Sequence, residues 1–211
     1  MTVHLPESLA GSWRVVGSRT GESSVVLASI TAETTVYEPV DPADGLAALD
    51  ANDVPVRSLF TVDLSISPSL ATLGVDPESI LSTAAPKARE QFTATLEDAS
   101  ITVEELRNSL EFEASNGTAG VWSVLDVGYP ADLEAAVERI DAEAHVAVWP
   151  LESTFGMAGG VVPLEELADE GAAAAGGAGL DVDPERDRET IAELIRTIDL
   201  ADDAEDGPDP A

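Results

Sequence analysis

Residues 56–67 alternate without a break. Val56, Ser58, Phe60, Val62, Leu64 and Ile66 fall on one side, with Arg57, Leu59, Thr61, Asp63, Ser65 and Ser67 on the other. A period of two over this length specifies a half-buried strand. Such a strand needs partner strands at its edges and a second layer on its apolar face. Pro68 closes it, because proline cannot donate to a sheet ladder.

Other segments follow the same pattern. Residues 12–40 read as strands, with a hairpin turn expected at Arg19-Thr20-Gly21-Glu22, where Gly21 can supply a positive φ. The segment ITAETTVYEPV is rich in Thr, Val and Tyr and continues the sheet until Pro39. Leu110, Phe112 and Ala114 alternate with Glu111, Glu113 and Ser115, then Asn116-Gly117 offers a turn before VWSVLDV. HVAVWPL reads as a short buried strand. DPADGLAALDAND is a turn-rich connection with one helical turn.

Helical signals interleave with these. Asp76-Pro77 starts a helix with Asp76 as N-cap and Pro77 in the first turn. Its apolar stripe is Ile80, Leu81, Ala84, Ala85, Ala88, Phe92 and Leu96, and a kink or two short helices are expected at Pro86. Thr102 and Glu105 have capping-box spacing, flanked by Ile101 and Leu106, so a short helix is expected there. Ala131–Ala144 reads as a second helix, and PLEELADE as another short one. Asp183-Pro184 opens a last helix with the stripe Ile191, Leu194, Ile195 and Ile198.

The class is therefore α+β. Residues 56–150 run strand, helix, hairpin, helix, strand, the order of a ferredoxin-like split βαβ unit, extended by the N-terminal strands. The alternative groups residues 12–67 as an OB-like barrel beside a separate α+β half. The expected divisions are an N-terminal segment 1–11 and a core 12–150 (12–67 mainly β, 68–150 mixed). A Gly/Ala-rich loop and linker 151–183, the helix 184–199 and a disordered acidic tail 200–211 follow.

The chain of 211 residues carries 41 acids against 10 basic residues, a formal charge of -31, and Lys87 is its single lysine. Residues 1–50 hold 7 acids, 51–100 hold 7, 101–150 hold 10 and 151–211 hold 17. This is not an acidic tail on a neutral domain. With Ala and Val as apolar filler, the composition resembles the proteome of extremely halophilic archaea. That resemblance implies a cytosol of molar potassium salt, where the Debye length is about 3 Å and carboxylate self-repulsion is screened. Charge then says little about partners. Nucleic acid is unsupported, since no basic stripe exists, although RNA binding through a sheet face is the weaker alternative. The opening MTVHLPESLAGSW lacks a basic region followed by an apolar stretch, so no secretory signal is expected. No apolar run reaches the ~18 residues of a membrane helix. A cytoplasmic location is the expectation.

The catalytic inventory is thin. Cysteine is absent, and His4 and His145 are the two histidines. No zinc spacing and no Gly-x-Ser-x-Gly elbow occurs, so no metal, cofactor or catalytic residue is assigned. Glu111, Glu113 and Asp126 could converge on a cation, against the alternative of a solvated acidic face. Gly156-Met157-Ala158-Gly159-Gly160 offers backbone donors to a phosphate, but lacks both the P-loop and the dinucleotide fingerprint. Scarce residue types carry more information here than acids do. The candidate ligand-binding residues are Arg57, Lys87, Arg89, Trp122, His145, Gly159 and Gly160. Local ion pairs, core packing and a mobile glycine loop are their structural alternatives.

The function expected is a non-catalytic binding or protein-interaction module, with a partner or self-association through the helix 184–198. The alternative is a phosphate- or nucleotide-binding protein or enzyme using the Gly-rich loop.

Overall fold

Seven strands pair into one open antiparallel sheet in the computed structural model, which describes residues 5–25, 28–41, 54–130, 139–164 and 182–198. They are β1 (Trp13–Val25), β2 (Ala28–Pro39), β3 (Ser58–Ser67), β4 (Thr102–Glu113), β5 (Ala119–Pro130), β6 (Arg139–Pro150) and β7 (Phe155–Pro163). The order across the sheet is β1-β2-β3-β7-β6-β5-β4. Three helices accompany them among the described residues: α1 (Glu7–Ala10), α2 (Pro77–Asp98) and α3 (Pro184–Thr197).

Alternation along β6 divides the molecule into two layers. Ala142, Ala144, Val146 and Val148 point into a core shared with Phe92 and Leu96 of α2. Ala147 and Trp149 point the other way, into a core with Ile191, Leu194 and Ile195 of α3. The sheet is thus covered on opposite faces by α2 and α3. Phe60 and Phe92 meet at ring centroids 5.0 Å apart in the first core. In the second, Phe112 meets Trp149 edge-on at 6.1 Å.

The mixed α+β class holds, and so do several local expectations. β3 covers the alternating segment and stops before Pro68. Asp76 caps α2 by accepting from the Glu78 amide, and Asp183 caps α3 by accepting from Arg186. Gly117 takes φ 80 in the turn between β4 and β5. The α3 stripe, offered by the sequence to a partner or a second copy, instead packs within its own chain, with Ile191, Leu194, Ile195 and Ile198 all 1% exposed or less.

Other expectations fail for identifiable reasons. The ferredoxin-like order is not confirmed: β3 lies beside β7, and residues 139–144, expected in a helix, are the start of β6. Residues 131–138 of that expected helix lie outside the described residues, as do the connection 42–53, the helix at PLEELADE, the Ala/Gly linker and the acidic tail. The separate OB-like barrel gives way to one sheet, because β3 hydrogen-bonds to both β2 and β7. Gly21 is not in a turn; it sits inside β1 opposite Ala32. The capping box at Thr102 is not used. Ile101 is buried at the end of α2, and residues 102–113 pair along β5 instead, so tertiary pairing overrides a local helix signal. Pro86 is accommodated inside one continuous α2.

The Gly-rich stretch is β7 near the centre of the sheet rather than a loop. Its glycines make room for neighbours. A methyl on Gly156 would strike the Trp149 ring, one on Gly159 the His145 carbonyl, and one on Gly160 the Ser58 carbonyl and Ile191. Close packing of backbone and helix on β7 explains these residues.

Both outer pairs carry register shifts and the inner pairs do not. β1 is bulged between Val15 and Gly17, and β4 between Val103 and Glu105 and again between Leu106 and Asn108. The last of these makes Arg107 an extra residue in its strand.

Candidate functional site

Register places four polar residues together on the α3 side of the sheet. Glu143 and His145 are two apart on β6 and so share a face. Asp126 lies opposite Glu143, and Trp122 opposite Ala147, on β5. Arg107 reaches the same spot from the β4 bulge, and Arg188 reaches it from α3. Bulges commonly re-aim side chains beside sites.

Glu143 is the centre. It is 2% exposed. Arg188 donates to it through both arms of its fork, Nε to Oε2 at 2.7 Å and Nη2 to Oε1 at 2.8 Å. Arg107 Nη1 also donates to Oε1, and Arg107 Nη2 lies 2.7 Å from Asp126 Oδ1. Two guanidiniums thus meet two carboxylates, and the cluster is neutral overall. A buried carboxylate with a bidentate arginine is geometrically specific. Its main contribution is register rather than net stability.

His145 is 3% exposed, and its Nε2 lies 3.3 Å from Glu143 Oε2. The carboxylate accepts, so Nε2 carries the proton and Nδ1 presents a bare lone pair. Nδ1 has no hydrogen-bond partner, and neither does Trp122 Nε1, although both atoms are buried. The two rings lie 5.7 Å apart at their centroids. Asp126 Oδ1, ion-paired with Arg107, is a third buried atom without a hydrogen bond. An unpaired buried polar atom costs about 1–3 kcal/mol, so three in one cluster is unusual within one fold.

Burial pushes the His145 imidazole down from 6.5 to about 4, and Arg188 and Arg107 push it the same way. The ring is neutral at pH 7. The unfolded chain binds this proton more readily than the folded one, so stability is full above pH 6.5 and is lost as pH falls toward 4. The loss is about 3 kcal/mol. Urea titrations between pH 7 and 4 should show this slope, and His145→Gln should flatten it. An unchanged slope in that variant would place the acid sensitivity in other groups.

The remaining sequence candidates scatter. Trp122, His145 and Gly160 are brought together, Gly160 being the β7 partner of His145. Gly159 pairs with Val146 in the adjacent register position. Arg57 is buried under α3, where its Nε donates to Asp187 Oδ2 at 2.8 Å. Burial raises the Asp187 carboxyl, and the Arg57 guanidinium opposes that shift. Lys87 and Arg89 sit on α2, on the opposite face, and Lys87 pairs with Glu90 at 2.7 Å. Glu111 and Glu113 do not converge with Asp126, which sits near Glu105 further along β5. Among the described residues, no group of three or more acidic or histidine side chains is placed to hold a metal ion. Also among them, no helix is long and apolar enough to cross a membrane.

Sequence reading missed Arg107, Glu143 and Arg188, and offered Asp126 only as a cation ligand with Glu111 and Glu113. The spacing Glu143-x-His145 within a strand, which puts both on one face, could have pointed to Glu143. Nothing local points to Arg107, which depends on a bulge, or to Arg188 on α3.

A mixed α+β chain with one antiparallel sheet and a buried Glu-His-Arg cluster is the class these observations define. The chain belongs to the family described as Domain of unknown function (DUF6517), which it matches over residues 11–199. No curated protein and no solved structure matches it.

Proposed function

We propose that this chain is a non-catalytic binding module of a salt-rich cytosol. It recognises its ligand with the β4-β5-β6 end of the sheet on the α3 side. One observation carries the reading: the Glu143 cluster is electrically closed. Arg107 and Arg188 are held by Glu143 and Asp126, and His145 is neutral and tied to Glu143. The cluster contains no nucleophile, and its one basic nitrogen is too weak a base for proton abstraction at neutral pH. What it offers is fixed hydrogen-bonding atoms beside a half-exposed tryptophan, which is equipment for recognition. The dispersed acid surface and the single lysine support the salt-rich setting.

A ligand that binds only the folded state raises its melting temperature. In molar KCl, a thermal-shift screen of small metabolites should yield hits that disappear in Trp122→Phe and Arg107→Ala. The same hits should persist in Lys87→Ala on the far face. Hits indifferent to Trp122 and Arg107 would remove this site from the reading. Turnover of any test substrate that vanishes in His145→Gln would overturn the non-catalytic assignment.

A further inference from the structure

We infer that Trp122 and His145 form a recognition pair for a hydroxyl group, and that the ligand taken there is a small neutral polyol or sugar. The inference rests on the binding-module reading and specifies its ligand chemistry.

The unpartnered atoms on the two rings are of opposite kinds. Trp122 Nε1–H can only donate. His145 Nδ1 can only accept, because Glu143 holds the ring proton on Nε2. A hydroxyl is the smallest group that satisfies both at once. Its oxygen accepts from the indole, and its proton goes to the imidazole. A carboxylate has no proton to give Nδ1. A phosphate, which keeps a P–OH proton near neutral pH, is disfavoured by its charge, since neither nearby guanidinium is left unbalanced. An ammonium has no lone pair for the indole.

Charge points the same way. Arg188 and Arg107 are the cations nearest the pair, and each is already engaged by a carboxylate. Neither cation is left unbalanced to draw an anion, and salt screens attraction at longer range. Apolar groups complete the setting. Leu110 lies directly opposite Trp122 on the outer strand and is 48% exposed. Trp122 itself is half-buried, with its ring toward His145. An aromatic face with an aliphatic neighbour suits the C–H side of a polyol. Leu110 and Arg107 belong to β4, the outermost strand on this side of the sheet.

The test uses the full chain, labelled with nitrogen-15, in molar KCl. Glycerol, glucose, acetamide and inorganic phosphate are titrated in turn, and the Trp122 indole and His145 ring nitrogen signals are followed. Glycerol or glucose should move both signals saturably. His145 should remain in its Nε2–H form throughout. Trp122→Phe, which keeps an aromatic ring and removes the donor, should weaken binding about tenfold. Lys87→Ala should not change it. Response to phosphate or acetamide with the polyols silent would overturn the hydroxyl assignment, as would unweakened polyol binding by Trp122→Phe. Signals unmoved by every probe would also overturn it, and would leave both atoms to ordered water. If that occurs while screening hits still depend on Arg107, the binding module stands and only its ligand class falls.

Discussion

Glu143→Ala is expected to destabilise the fold by about 3 kcal/mol, the low end of the range for removing one partner of a buried ion pair. The low end applies because the two guanidiniums are 44% and 39% exposed and recover part of their hydration. In a domain of this size the loss corresponds to roughly 6–12 °C in melting temperature. The charge matters more than the cavity, so Glu143→Gln should show most of the effect. Arg188→Gln in the Glu143→Gln background should cost less than in the wild type, because the two residues act as one unit. Additive losses would mean that Arg188 and Glu143 are not one unit, leaving α3 to its apolar stripe and the Arg57–Asp187 pair. The exposed pair of Lys87 and Glu90 is the control, and Lys87→Ala should leave the melting temperature unchanged.

Transfer from molar KCl to dilute buffer is expected to have the larger effect still. A formal charge of -31 spread along the chain repels itself. At about 0.01 M salt the Debye length is about 30 Å, so carboxylates across the whole molecule interact. Typical folds are stable by only about 5–15 kcal/mol. Most of that margin should vanish, and circular dichroism should show a largely unfolded population that refolds when KCl is restored. A melting temperature flat across this range would sink the salt-rich setting. The buried Glu143 cluster should be less sensitive than the surface, because buried pairs are screened less by salt.

The legible parts of the fold were those set by local chemistry. Asp76-Pro77 and Asp183-Pro184 opened helices because capping acts within a few residues. Asn116-Gly117 turned the chain for the same reason. The illegible parts were set by partners distant in sequence. Thr102 to Leu106 carries a sound capping box, yet four of its own residues and six beyond it find their ladder on β5. The Gly-rich stretch looks mobile until Trp149, His145 and Ile191 are placed against it. The site followed the same rule. Trp122 and His145 stood out as scarce residue types. Glu143 was one acid among 41, and only strand register distinguishes it from a surface carboxylate. Arg107 depends on a bulge that no alternation pattern announces.

Those bulges bear on whether the sheet's edges can pair with another copy of the chain. Among the described residues β1 and β4 are the outermost strands of the sheet, and an edge strand has a row of backbone groups able to pair with another chain. In ordinary cytosol, charge guards such edges, and β4 carries Glu104, Glu105, Glu111 and Glu113. Molar salt reduces that guard to contact range. A kinked ladder does not depend on ionic strength. Every register shift in the sheet falls in the two pairings that involve an edge strand, so in molar salt shape would protect these edges where charge cannot.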